Sequence, residues 1–205
     1  MAPGPVPDLV LASASPRRAD ILAMLGLDFQ IVPARVREER APGEPPPRYV
    51  ERLAREKAQA VAVTRPESLV LGGDTVVVQG DHLLEKPADP EEASRMLEAL
   101  AGRDHEVHTG MALVSPGGRV TSEVATASVS IRDLSRAEIE AYVRTGEPMD
   151  KAGSYGIQGM GAALVSSIAG DYYAVVGLSV QSLVTLLGRV GIRYGYGDLR
   201  SIEGY

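Results

Sequence analysis

Leu9-Val10-Leu11-Ala12-Ser13-Ala14-Ser15-Pro16-Arg17-Arg18 passes from one kind of local structure to another within a few residues. Its first four residues are an apolar run of the length of a buried strand. Ser15 suits the N-cap of a helix and Pro16 the first helical position. Ile21, Leu22 and Leu25 then share one helical face, and Gly26 marks the stop. A buried strand feeding straight into a helix is the unit from which α/β sheets are built.

The pattern continues outward from there. Residues 29–32 read as a second strand. A Pro-rich loop at 42–47 precedes a helix over 48–63, with Val50, Leu53, Ala54, Ala58 and Val61 at helical spacing and Lys57 among its polar positions. Residues 69–72 and 76–79 read as strands with Gly73-Asp74-Thr75 between them, and Gly80-Asp81 is a turn. Asp89-Pro90-Glu91-Glu92 is a helix start with cap, proline and a Glu placed for a capping box; that helix ends near Gly102. Residues 106–115 and 119–132 form a hairpin joined by Pro116-Gly117-Gly118. Ser135 and Glu138 begin another capped helix, closed by Gly146. Residues 150–161 form a Gly-rich loop leading into a strand through Ile168, and a last helix covers 180–189. The expected fold is α/β: a mixed central sheet flanked by helices, in two lobes with a cleft. It is expected as a single domain over 1–205, with its core at about 8–190 and residues 191–205 as an exposed C-terminal tail.

Composition narrows the function. The chain has 205 residues, 44% of them hydrophobic and 23% charged, which suits a folded globular protein. Its net charge of −6 opposes broad binding to nucleic acid or anionic membrane. It contains no Cys, which excludes disulfides, thiolate nucleophiles and Cys-ligated metals. The start lacks a basic signal-peptide region, and no apolar run approaches the roughly 20 residues that span a bilayer. The expected address is the cytoplasm, with no nucleic-acid or membrane partner.

Two stretches invite a polyanion. Ser13, Ser15, Arg17 and Arg18 stand at a strand-to-helix junction, where free N–H groups and the helix dipole favour phosphate. Read structurally, Ser15 is only a cap and the arginines are solvated. Asp74 lies among glycines at a strand end, where a phosphate and a hydrated Mg²⁺ could approach; it could equally be a turn Asp. Lys57 and Lys86, taken singly, read as surface lysines. The loop Asp150-Lys151-Ala152-Gly153-Ser154-Tyr155-Gly156-Ile157-Gln158-Gly159 is too Gly-rich for a helix and reads as functional, with Gln158 offering a donor and an acceptor. No P-loop, dinucleotide fingerprint or G-x-S-x-G elbow occurs. His105 and His108 would fall on opposite faces of a strand, which argues against a histidine metal site.

Together, residues 11–18, Gly73-Asp74-Thr75, Lys86-Pro87, residues 150–159 and residues 171–178 resemble the Maf family of nucleotide pyrophosphatases, in the family's order. The resemblance implies a cytoplasmic homodimer of inosine-triphosphatase-like fold that splits a nucleoside triphosphate into monophosphate and pyrophosphate with a divalent cation, Mg or Mn. The loop form at 150–159 resembles the branch acting on dTTP and UTP rather than 7-methyl-GTP. By position the resemblance makes Asp74 the proton acceptor and metal carboxylate and Glu38 the second acidic ligand. Lys57 and Lys86 become triphosphate ligands, and Arg17, Thr75 and Gln158 determinants of substrate choice. Arg37 before Glu38 and Glu85 before Lys86 depart from the family pattern. The rival readings are a nucleotide-binding regulator of cell division without essential catalysis, a 7-methyl-GTP-type pyrophosphatase, and a nucleotidyltransferase, which would need a second substrate.

Overall fold

The computed structural model describes residues 6–202. The elements run β1 (Leu9–Leu11), α1 (Pro16–Met24), β2 (Phe29–Ile31), α2 (Pro46–Ala62), β3 (Leu69–Gln79), β4 (His82–Leu84), α3 (Pro90–Leu100), β5 (Asp104–Val114) and β6 (Val120–Ile131). Then follow α4 (Arg136–Val143), three 3-10 turns (Glu147–Asp150, Ala152–Ser154, Gly159–Leu164), β7 (Val165–Gly170), α5 (Tyr172–Val176), α6 (Val180–Arg189), β8 (Ile192–Tyr194) and β9 (Leu199–Ser201). Seven strands form a mixed sheet in the order β2-β1-β3-β5-β6-β7, with β4 paired to β3. β1 is parallel to both β2 and β3; the β3–β4 and β6–β7 pairs are antiparallel.

The chain divides into two compact units. The first holds the residues through Asp74, Thr109–Ala125 and the residues from Gly177 onward. Its core gathers Val10, Val70 and Ala112 from strands, and Ala12 just past β1, against Ala54, Ala58 and Val61 of α2. Helix and sheet meet closely here. A Cβ on Gly72 would lie 2.3 Å from the Ala54 carbonyl oxygen, and one on Gly110 would lie 2.3 Å from that of Val50. Only glycine lets the α2 backbone settle on β3 and β5 this way.

The second unit holds Thr75–His108 and Thr126–Val176. Leu97 and Leu100 of α3 and Ile139 and Tyr142 of α4 pack with Val107, Val129 and Ile131 of its strands. Asp89 accepts the Glu92 N–H at 2.7 Å, as the cap motif requires, and Ser135 with Glu138 forms a complete capping box. Glu92 itself reaches one residue past the cap, accepting the Ala88 N–H at 2.7 Å.

Several expectations need correction. Residues 69–79 are one unbroken strand, so Gly73-Asp74-Thr75 is no turn. The glycines there serve helix packing rather than chain reversal. Helix α2 begins at Pro46, two residues earlier than expected, because proline is at home in a first helical turn. The short helix α5 was not foreseen. Residues 191–201 are not a simple tail: β8 and β9 pair as a hairpin within the first unit, and the Tyr194 hydroxyl donates to the Leu25 carbonyl at 2.7 Å. The end of the expected tail, residues 203–205, lies outside the described residues. No helix among the described residues is long and apolar enough to cross a membrane.

Candidate active site

Asp74 is presented from the interior of β3, and its side chain is 10% exposed. Burying a carboxylate this far needs a counter-charge. Lys57 supplies it: Nζ donates to Asp74 Oδ1 at 2.8 Å and pairs with Glu38 Oε1 at 2.9 Å. One ammonium thus bridges a buried carboxylate and a half-exposed one. Lys57 is itself buried, contrary to its expected place on the polar face. Its spacing shows why, since it stands four residues from both Leu53 and Val61 and so lies within the buried stripe of α2.

Arg18 completes the cluster. Its Nη1 donates to Ser13 Oγ at 3.0 Å and its Nε to the Gly177 carbonyl at 2.8 Å. Gly73 leaves room for it, because a Cβ there would stand 3.2 Å from Arg18 Nε. Burial lowers the guanidinium's pKa, the Asp74 charge opposes that shift, and arginine stays protonated regardless. For Asp74 the balance falls the other way. Burial pushes the carboxyl up, Lys57 and Arg18 pull it down, and Glu38 adds repulsion, leaving it above its ordinary value.

The strand-to-helix junction differs in detail from its expected form. Ser15 holds the N-cap position of α1 but its side chain makes no cap hydrogen bond. Instead its N–H donates to Ser13 Oγ at 3.2 Å, so the buried Ser13 hydroxyl accepts from both the backbone and Arg18. Arg17 stands half-exposed in the first turn of α1. Ser13, Ser15, Arg17, Arg18, Glu38, Lys57 and Asp74 therefore all belong to the first unit, and contacts join Ser13 to Arg18 and Lys57 to both acids. Thr75, Lys86 and Gln158 belong to the second. Thr75 is half-buried beside Asp74 in the strand, while Lys86 and Gln158 are exposed.

Glu38 owes its place to residues that sequence reasoning missed. It lies in the long connection between β2 and α2, which has no regular structure of its own. Arg52 of α2 grips that connection with a bidentate pair to Glu44, both bonds 2.7 Å, and a 2.9 Å bond to the Glu39 carbonyl. The Arg52 hydrogen bonds hold the Glu44 carboxyl down at about 2. No periodic signal links positions eight apart across a proline run, so the pair was invisible in sequence. Arg37, the departure beside Glu38, pairs with Glu39 at 2.5 Å.

Among the described residues, no group of three or more His, Cys, Asp or Glu is arranged to hold a metal ion. Asp74 and Glu38 nevertheless converge on a single positive centre, the Lys57 ammonium, and offer only hard carboxylate oxygens. Such a pair suits a cation that takes one or two carboxylates and completes its shell with phosphate and water. The two histidines of β5 are engaged separately: His105 Nε2 meets the Tyr155 hydroxyl at 2.7 Å, and His108 Nδ1 meets Thr126 Oγ1 at 2.9 Å.

Comparison with known proteins agrees with the motif pattern. A family model described as Maf-like protein matches residues 8–190. A dTTP/UTP pyrophosphatase of Moorella thermoacetica is 51% identical over 185 residues, covering 90% of this chain and 95% of the relative. One of Koribacter versatilis is 47% identical over 184 residues, again covering 90% and 95%. Among solved structures, the Staphylococcus aureus Ham1 protein aligns with a TM-score of 0.45 at 18% identity, covering 62% of this chain and 72% of that one. With a family model spanning nearly the whole described chain and half-identical relatives matched almost end to end, this chain belongs to the Maf-like protein family.

Proposed function

We propose that this protein hydrolyses dTTP and UTP, or modified pyrimidine triphosphates, to the nucleoside monophosphate and pyrophosphate. The observation that carries the reading is the buried Asp74 carboxylate, raised above its ordinary pKa and bridged through Lys57 to Glu38 within reach of the Arg18 charge. The activity for which the two relatives are named, dTTP/UTP pyrophosphatase, supports it.

In this scheme Asp74 accepts a proton from the water that attacks the α-phosphorus. The bond from that phosphorus to the bridging oxygen breaks, and pyrophosphate leaves. A carboxyl pushed up by burial is a better base than an ordinary aspartate. Arg17, Arg18, Lys57 and Lys86 spread over the charge of the triphosphate and the departing pyrophosphate. Mg²⁺ or Mn²⁺ held by Asp74 and Glu38 would neutralise phosphate charge and acidify the attacking water. For Arg17, Thr75, Lys86 and Gln158 the assignments rest on the sequence motifs, with Gln158 hydrogen-bonding the pyrimidine edge and Ser13 and Ser15 supplying donors at the junction.

We further take residues 1–205 as one enzymatic domain with its core at about 8–190, working as a cytoplasmic homodimer without nucleic-acid or membrane partners. The unbroken match of the family model supports the first part, and light scattering in solution tests the dimer. The decisive experiment is a panel of pyrimidine and purine triphosphates with Mg²⁺ or Mn²⁺, with products separated by chromatography. Pyrophosphate and monophosphate from dTTP and UTP are expected. Tight dTTP binding without turnover would favour the regulator, release of single phosphates would exclude this reaction, and turnover only with a second substrate would indicate a transferase.

A further inference from the structure

Gln158 is held from both sides by two residues outside its loop. The Glu147 carboxylate accepts the Met160 N–H on Oε2 at 3.0 Å and the Gly161 N–H on Oε1 at 2.9 Å. Oε1 also accepts the Tyr142 hydroxyl at 2.9 Å, and the Tyr142 oxygen in turn accepts the Gly156 N–H at 3.2 Å. One carboxylate and one phenol therefore tie down the backbone two residues before Gln158 and again two and three residues after it. The ends of this segment also touch. A Cβ on Gly161 would fall 2.5 Å from both the Gly156 carbonyl oxygen and the Tyr142 hydroxyl. Gln158 itself is exposed, so the backbone decides where its amide is offered.

Glu147 is itself well anchored. Its own N–H donates to Thr145 Oγ1 at 3.1 Å, and its carbonyl accepts Lys151 Nζ at 2.6 Å. Burial raises the Glu147 carboxyl, but the N–H donors and the Tyr142 hydroxyl outweigh it, and the group sits below its ordinary value. Burial and the Glu147 partner push the Tyr142 phenol upward, so it stays a donor. The arrangement needs a carboxylate. An amide at position 147 has one acceptor oxygen, and its NH₂ would face a backbone N–H, donor against donor.

We propose that Glu147 and Tyr142 are positioning residues for nucleobase selection, fixing the backbone that presents Gln158 without touching the nucleotide. The proposal rests on the reading of Gln158 as the base-contacting residue, and the variants distinguish failure of the one from failure of the other. The test measures kcat and KM for dTTP and dGTP in the full chain and in Glu147→Gln, Glu147→Asp, Tyr142→Phe and Gln158→Ala, each melted thermally to establish folding. Glu147→Gln and Tyr142→Phe are expected to lower the dTTP-over-dGTP ratio of kcat/KM about tenfold, mainly through KM, in the same direction as Gln158→Ala. Glu147→Asp, which keeps both oxygens, should recover part of the ratio. If Gln158→Ala collapses the ratio while folded Glu147→Gln and Tyr142→Phe keep it, or slow both nucleotides alike, the positioning role is wrong. If Gln158→Ala leaves the ratio unchanged, the base-contacting reading fails and this proposal falls with it. Should Glu147→Gln not fold, Tyr142→Phe, which removes one oxygen, decides alone.

Discussion

Lys57 Nζ stands 2.8 Å from Asp74 Oδ1, with each side chain 10% exposed. Despite this pairing the Asp74 carboxyl is raised, so burial outweighs the attraction of its nearest cation. Two consequences follow from that balance, one for catalysis and one for pH.

Asp74→Asn keeps the shape of the side chain and removes its basicity. It should lower kcat by about 10² to 10⁴, the usual contribution of a general base. Pyrophosphate release under saturating dTTP and metal measures the loss. Near-normal turnover with metal still bound would remove Asp74 from the chemistry.

With no metal bound, the Asp74 carboxyl, followed by carboxylate NMR, should titrate above the 3.8 of an ordinary aspartate. Lys57→Met removes the largest force pulling that pKa down and should move the titration to still higher pH. The stability contributions run in opposite senses. A raised carboxyl pKa means that the folded state holds its proton more tightly, so Asp74 contributes most below pH 3.8 and loses that contribution as pH rises through its folded pKa. Glu44 is lowered to about 2, so its contribution is complete above 4.5 and fades as pH falls towards 2. Urea midpoints across this range, compared with Glu44→Gln, isolate the second effect.

Arg52→Lys keeps the charge but loses the two-pronged grip on Glu44 and the bond to the Glu39 carbonyl. The connection carrying Glu38 should then exchange its amide hydrogens faster over residues 36–44. Activity should fall through a weaker hold on the metal, read as a higher metal concentration for half-maximal rate, rather than through loss of fold. Unchanged exchange in that segment would show that the clamp does not hold Glu38 in place.

Gly72→Ala places a methyl group 2.3 Å from a backbone oxygen of α2, which cannot swing aside as a side chain could. A loss of about 1–3 kcal/mol in urea unfolding is expected, typical of overpacking. Tyr194→Phe removes one hydrogen bond between the C-terminal hairpin and the end of α1, and should cost about 1 kcal/mol.

Much of this architecture was legible because it is written locally. The Asp89-Pro90 cap and the Ser135–Glu138 box each lie within one helical turn, and each formed. What escaped depends on contacts between distant positions. Gly-Gly-Asp-Thr has the composition of a turn, and only the close approach of α2 explains why it stays a strand. Lys57 was assigned to a polar face because of its charge, although its spacing matches the buried stripe once Asp74 is present to receive it. The Tyr-Gly repeats near the C-terminus look unstructured until Gly195 N–H meets the Asp198 carbonyl at 2.8 Å and closes the hairpin. The proposed site residues can each be named from the chain; the groups that secure the segment carrying Glu38, Arg52 with Glu44, and those that secure the backbone around Gln158, Tyr142 with Glu147, cannot.

The unbroken course of β3 through Asp74 has an evolutionary reading. Asp74 follows two glycines that leave little room for change, because a Cβ on Gly72 would meet the α2 backbone and one on Gly73 would stand 3.2 Å from Arg18 Nε. The loop around Gln158, held at a few backbone points, leaves its intervening side chains open to replacement. On the proposed roles, a lineage built this way could alter nucleobase choice by exchanging surface residues near Gln158 while leaving the strand that carries Asp74 untouched.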